Sequence, residues 1–118
     1  MAGVMVALLA STAPLAAATS PTDLSGFKIG TGTVYTAESA VVTAQGGQPP
    51  YSYTWTRTSG STAIYPEIVG VANTRFYAYF SALGNKTATY KCTVLDALSA
   101  TIDTNVITIT LDTDNSLP

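Results

Sequence analysis

Histidine does not occur anywhere in the 118 residues. Its absence removes the commonest general base, the commonest transition-metal ligand and every nucleophilic triad that depends on an imidazole. Cysteine occurs once, at Cys92, so no intrachain disulfide can form, and nothing near it in sequence would activate the thiol. Charge is also scarce: charged residues make up 10% of the chain, against about a quarter in ordinary domains. The five cations, Lys28, Arg57, Arg75, Lys86 and Lys91, do not cluster, and the formal net charge is -2. That distribution offers no footprint for nucleic acid. No metal-ligand spacing or nucleophile motif is present, so neither cofactor nor metal is implied and the expectation is a protein that is not an enzyme.

What the chain has in abundance is threonine, about one residue in six. Threonine is β-branched, favoured in strands and awkward in helices. The strongest local pattern is Gly46–Trp55, GGQPPYSYTW. Two glycines and two prolines read as a connection that reverses the chain. Tyr51, Tyr53 and Trp55 then alternate with Ser52, Thr54 and Thr56, the period of a half-buried strand. Further strands are predicted at 26–29, 33–35, 40–45, 51–58, 63–65, 75–81, 87–95 and 105–111, separated by turn signals. Short strands at this spacing predict an all-β sandwich or barrel. Its inward positions are expected to be Ala40, Val42, Ala44, Tyr53, Trp55, Phe76, Ala78, Phe80, Ala88, Tyr90, Cys92, Val94, Ile107, Ile109 and Leu111.

Residues 1–22 differ in kind, because they carry no charged side chain. The run Val4–Ala10 followed by small residues near Ala16–Ala18 imitates a signal peptide, but no positively charged n-region precedes it. The segment is also too short and too interrupted by Ser11, Thr12 and Pro14 for a membrane span, which needs about 20 apolar residues. It is therefore expected to be a retained arm whose Val4, Met5, Val6, Leu8, Leu9 and Leu15 dock on other subunits, with export as the alternative. The expected division is 1–22 arm, 23–113 sandwich and 114–118 tail.

Ala88, Tyr90 and Cys92, followed by Thr93–Asp96, resemble strand F of an immunoglobulin-like domain with its tyrosine corner, and Trp55 matches the strand C tryptophan. Val42 stands about where that family places its first cysteine, so packing replaces the bridge. GGQPPYSYTW together with YKCTVLDALSATIDTNVITITL is similar to the bacterial and phage immunoglobulin-like modules related to the polycystic-kidney-disease repeat. The likeness covers roughly 34–111. It departs from the antibody pattern at Lys86 and lacks the W-x-F-G-D-G turn after Trp55. It implies an immunoglobulin-like sandwich without a disulfide. Function does not transfer with such a fold.

Combined with the arm, the resemblance leads to the expectation of a non-enzymatic structural protein of a virus particle, such as a tailed-phage capsid decoration or a head, neck or tail accessory protein. Its partners would be other virion proteins, further copies of itself and, weakly, host-surface glycans. The alternative is a secreted or periplasmic adhesion or glycan-binding module. Arg75, Tyr77 and Tyr79, on the outward face of one strand, are the expected surface contact, although exposed tyrosines also simply pair across strands. Three minor features complete the reading. Asp112, Asp114 and Asn115 supply too few oxygens for calcium. Asn85, Lys86 and Thr87 form a glycosylation sequon that matters only in a eukaryotic secretory pathway. Asp96 and Asp103 bracket a loop without forming an acid and base pair.

Overall fold

The computed structural model describes residues 13–115, and every regular element in them is a β-strand. The strands are β1 (Ala16–Ser20), β2 (Asp23–Ile29), β3 (Gly32–Tyr35), β4 (Ala40–Gln45), β5 (Ser52–Gly60), β6 (Tyr65–Pro66), β7 (Asn73–Thr74), β8 (Phe76–Phe80), β9 (Gly84–Leu95), β10 (Thr101–Asp103) and β11 (Ile107–Asp114). They form the two layers of a β-sandwich.

In the first layer β1 pairs antiparallel with β4, and β4 with β7. The pairs β3–β8 and β8–β6 continue the same layer. Only Thr36–Ser39 separates β3 from β4, and only Arg75 separates β7 from β8, so each couple is one strand with a short interruption. In the second layer β9 is central. It pairs with β5 on one side and with β11, continued by β10, on the other; β2 runs parallel to β11 at the margin. The first strand of the domain thus changes sheets: β1 lies in one layer and β2 in the other. The crossing falls at Ser20–Pro21, a cis peptide, where proline has no N–H to give to a ladder.

The interruptions show what the threonines do. A break in a strand strands backbone groups that must find partners when buried. At the first break the buried Thr36 hydroxyl donates to the Glu38 carbonyl (2.7 Å) and accepts from the Phe76 amide (3.2 Å). Thr74 does the same at the second, donating to the Arg75 carbonyl (2.9 Å) and accepting from Ile68 (3.1 Å). Between β10 and β11, Thr104 donates to the Asn105 carbonyl (2.9 Å) and accepts the Cys92 amide (3.0 Å). Each buried hydroxyl replaces a missing rung. A valine of similar shape would take the partner from the Phe76, Ile68 or Cys92 amide, and at Thr36 and Thr104 from a carbonyl as well; the Arg75 carbonyl beside Thr74 also accepts from Glu67 (2.8 Å).

The inward alternation falls where the sequence predicts it, with Trp55, Phe76, Ala78, Phe80, Ala88, Cys92, Val94, Ile107, Ile109 and Leu111 all buried. Ala44 and Tyr53 also face inward but are only half-buried, packing on the rim of the core. Leu24, Val34 and Ile64 join the core although no clear alternation marks them. The rings stack through the centre: Trp55 meets Phe76 edge-on at 5.4 Å and 89°, and Phe76 meets Tyr90 at 4.8 Å.

Three further expectations are revised. The sandwich begins before the compositional change at Asp23, because Ala16–Ser20 is a paired strand inside the expected arm. Thr101–Asp103, expected within a turn, is strand β10 paired with Thr93–Leu95. The Tyr90 hydroxyl does not close a local tyrosine corner; it donates to the carbonyl of Ile64, 26 residues upstream. The phenol points into the core between the layers, and the run before β6 is the backbone within its reach.

Candidate interaction surface

Two features stand out from the buried frame: a clamp where the N-terminal segment joins the sandwich, and an aromatic patch on the outer face of the first layer.

The clamp is built on the turn between β4 and β5. Gly46 and Gly47 take φ of 72° and 56°, a left-handed conformation open to glycine with little strain. This lets the turn close against the incoming chain, and the Gly47 amide donates to the Ala13 carbonyl at 2.8 Å. A Cβ on Gly46 would lie 2.0 Å from the Pro14 carbonyl oxygen, so the two backbones touch. The Gly46 carbonyl accepts from the Tyr51 hydroxyl at 2.6 Å. Leu15 packs against the edge of the core and the face of Gly47.

Asp96 holds this turn to the loop between β9 and β10. One carboxylate oxygen accepts the Gln48 amide (3.0 Å); the other accepts the amides of Leu98 (2.9 Å) and Ala100 (2.8 Å). The Gln48 amide foremost, with those of Ala100 and Leu98, holds the Asp96 carboxyl below its usual value against the opposing effect of burial. A group with a lowered folded pKa stabilises the fold above its unfolded pKa, and that contribution fades as pH falls through the folded value. Asp96→Asn is therefore expected to be less stable than the native chain at pH 7, with the gap closing as pH drops below about 4, near the ordinary aspartate value. Urea midpoints measured from pH 7 to pH 2.5 check this. A gap that stays constant with pH would show that the charge is not what holds the loops.

The patch lies on β3, β8 and β6. The Tyr35 and Tyr77 ring centroids are 5.6 Å apart and those of Tyr65 and Tyr77 6.2 Å, giving a row of rings across three neighbouring strands. Arg75 closes one end. Its guanidinium forms a fork with Glu67, Nε to Oε1 and Nη2 to Oε2 at 3.0 Å each, and sits 4.5 Å above the Tyr35 ring. Hydrogen bonding to Arg75 lowers the Glu67 carboxyl and raises the guanidinium in turn. Both groups are well exposed, so the pair orients the guanidinium more than it stabilises the fold. Tyr79 stands two positions further along β8, opposite Thr33, and is 65% exposed.

Of the residues expected to act, Arg75, Tyr77 and Tyr79 share this face. Tyr35, Tyr65 and Glu67 belong to it as well but were not singled out, because only strand pairing brings them there. Val4, Met5, Val6, Leu8 and Leu9 lie outside the described residues. Leu15, grouped with them, is half-buried against its own domain, which uses part of its apolar surface within the chain.

Several other polar and ionisable side chains are separately placed, while the buried Thr19 hydroxyl has no hydrogen-bond partner among the described residues. Cys92 is wholly buried, and burial above all pushes its thiol up to about 11, so it stays protonated at neutral pH. Asp103 pairs with Lys91 (2.7 Å) and Thr93 (2.6 Å), apart from Asp96. Asn85 donates to Asp112 at 2.5 Å. Among the described residues no three His, Cys, Asp or Glu side chains are grouped to hold a metal ion. No helix among them is long and apolar enough to cross a membrane.

No protein-family model and no curated protein matches the chain. A solved structure of a conjugative transposon lipoprotein from Bacteroides eggerthii DSM 20697 is similar at a TM-score of 0.44 and 12% identity, over 83% of this chain and 98% of that one.

Proposed function

We propose that the chain is a non-enzymatic structural protein of a virus particle, a capsid decoration or a head, neck or tail accessory protein of a tailed phage. Its N-terminal arm would anchor it through Val4, Met5, Val6, Leu8 and Leu9 while the sandwich is displayed. The observation that carries this reading is the polarity of the first layer. The arm joins at the Gln45 end of β4, clamped by Gly46, Gly47 and Asp96. The tyrosine row lies towards the other end, on β3 and β8. From Gln45 back to Tyr35 is on the order of 30 Å of strand, at about 3.3 Å per residue. An anchor at one end and an aromatic, Arg-bearing contact face towards the other suit a module that is held by its root and presents its flank. Tyrosine and arginine are the residues that interfaces favour. The strand order of the two layers, with the first strand shared between them, also agrees with the immunoglobulin-like resemblance.

The test is to recover the protein from its native source, sediment particles through a density gradient and measure the intact mass of the chain. Co-sedimentation with particles and an N-terminus at Met1 or Ala2 is the expected result. A chain found free of particles and starting near Thr19 would overturn the proposal in favour of export.

A further inference from the structure

Among the described residues, the margin of β1 is an open strand edge. In an antiparallel ladder, residues alternately turn their backbone groups towards the partner and away from it. Thr19 turns away from β4: its amide donates to the Asn105 side-chain oxygen (3.0 Å), and its carbonyl accepts from the Asn105 side-chain nitrogen (3.1 Å). Ala17, two residues earlier in the same register, must turn away as well. No strand among the described residues pairs with that side of β1, because β10, which lies nearby, pairs only with β9. Natural sheets usually blunt such edges with lysine, proline or a bulge. The run AAATS has none of these, and Asn105 covers only its last part.

Next to this edge, over the outer face of the β1–β4 pair, lies a groove of about 210 Å³ lined by Ala16, Ala17 and Ala18, with Thr43 and Gln45, the β4 partners of Ala18 and Ala16, as its far wall. Its lining is uncharged and its β1 side is formed by alanines, so apolar side chains of a strand added at the edge can lean over β1 into it.

We infer that the apolar segment 1–12 of one copy adds as a strand to the open β1 edge of the next copy and fills this groove, joining copies head to tail. The inference rests on the proposed role of the arm as an anchor and names its acceptor. The segment suits the site: it has no charged side chain, and its alternate residues Val4, Val6 and Leu8 form one apolar row while Met5 and Leu9 fall on the other. A copy does not serve its own edge, because Ala13, Pro14 and Leu15 are committed to the Gly46–Gly47 turn and lead the chain off the end of β1. Folding back along β1 would break those contacts. An arm in one patch and an acceptor in another make a heterologous contact, which propagates into a ring or a filament. Main-chain hydrogen bonds would supply affinity and the groove would supply the register.

The test uses full-length chains and sedimentation over a concentration series. Ala17→Pro removes the outward N–H while leaving the β1–β4 ladder its bonds, since proline is tolerated on an edge. Ala18→Arg, on the outward face, places a charge in the groove and covers the case in which the proline disturbs folding. Val6→Glu with Leu8→Glu disables the arm. The native chain is expected to assemble beyond a dimer, and each variant to raise the apparent dissociation constant at least about tenfold. An edge variant mixed with the arm variant should stop at a one-to-one pair, since only one arm and one edge remain. A native chain that stays monomeric, or edge variants that assemble like the native chain, would overturn the inference. A monomeric chain that still co-sediments with particles would overturn this inference alone and leave the functional proposal standing.

Discussion

Trp55→Ala is expected to cost about 3–5 kcal/mol, the range for deleting a large buried aromatic side chain. Trp55 is 3% exposed, and two kinds of contact depend on it. The ring meets Phe76 edge-on, and Phe76 in turn stacks on Tyr90, so removing the indole takes the end from a row of rings that spans the layers. Phe76 is fully buried and Tyr90 is tied to Ile64, which limits how far the site can collapse and pushes the cost up within the range. The indole N–H also donates to the Val71 carbonyl at 2.8 Å, securing the run between β6 and β7 to β5. Trp55→Phe separates the two contributions: it keeps most of the apolar burial but frees the Val71 carbonyl, and should cost less, on the order of 1–3 kcal/mol. Because domains are stable by only about 5–15 kcal/mol, the alanine variant should unfold at a far lower urea concentration. An unchanged midpoint would mean that Trp55 does not fill the core.

How much of this could be read beforehand depends on contrast within each strand. In β5, β8, β9 and β11 large apolar residues alternate with threonine, tyrosine or charged residues, and the inward face is plain from the period alone. β1 has no such contrast. Three alanines, a threonine and a serine cannot signal a face, so the strand is hidden inside an apolar segment that resembles a leader. β10 is three residues long and exposed throughout, too short for a period to register. Leu24, Val34 and Ile64 are isolated apolar residues whose burial is decided by the layer that closes over them. The same limit applies to the contact face. Arg75, Tyr77 and Tyr79 are legible because they alternate along one stretch of chain, Arg75 immediately before β8 and the two tyrosines within it. Tyr35, Tyr65 and Glu67 become their neighbours only through the registers Tyr35 to Tyr77 and Tyr65 to Tyr77. The departure at Tyr90 has a different origin: the sequence identified a buried tyrosine that needs a partner, but the partner follows from which backbone lies under the ring.

Gly46→Ala should be the most damaging small change at the root of the arm, and Gly30→Ala provides its control. Both glycines have positive φ, 72° at Gly46 and 83° at Gly30, so either substitution incurs the left-handed penalty of roughly 1–2 kcal/mol for an L-residue. Their surroundings differ. A Cβ at Gly30 meets nothing within 4 Å, whereas at Gly46 it would lie 2.0 Å from the Pro14 carbonyl oxygen and 2.8 Å from its carbon. These are backbone atoms and cannot swing aside like the end of a flexible side chain. The chain at Pro14 must move, and the bond from Gly47 to Ala13 is in line to be lost with it. Adding about 1 kcal/mol for a lost hydrogen bond puts the expected cost at roughly 2–3 kcal/mol, clearly above that of Gly30→Ala. The site of the damage is as informative as its size. Limited proteolysis of the Gly46 variant should cut near Ala13–Leu15 at concentrations that leave the native chain and the Gly30 variant intact, because the root is then no longer held against the turn. Equal stability losses and equal cleavage in the two variants would mean that the turn does not clamp the arm. On the proposed virion role, a Gly46→Ala variant that keeps its core folded but co-sediments less with particles would mean that anchoring requires the arm to leave the sandwich in a fixed direction.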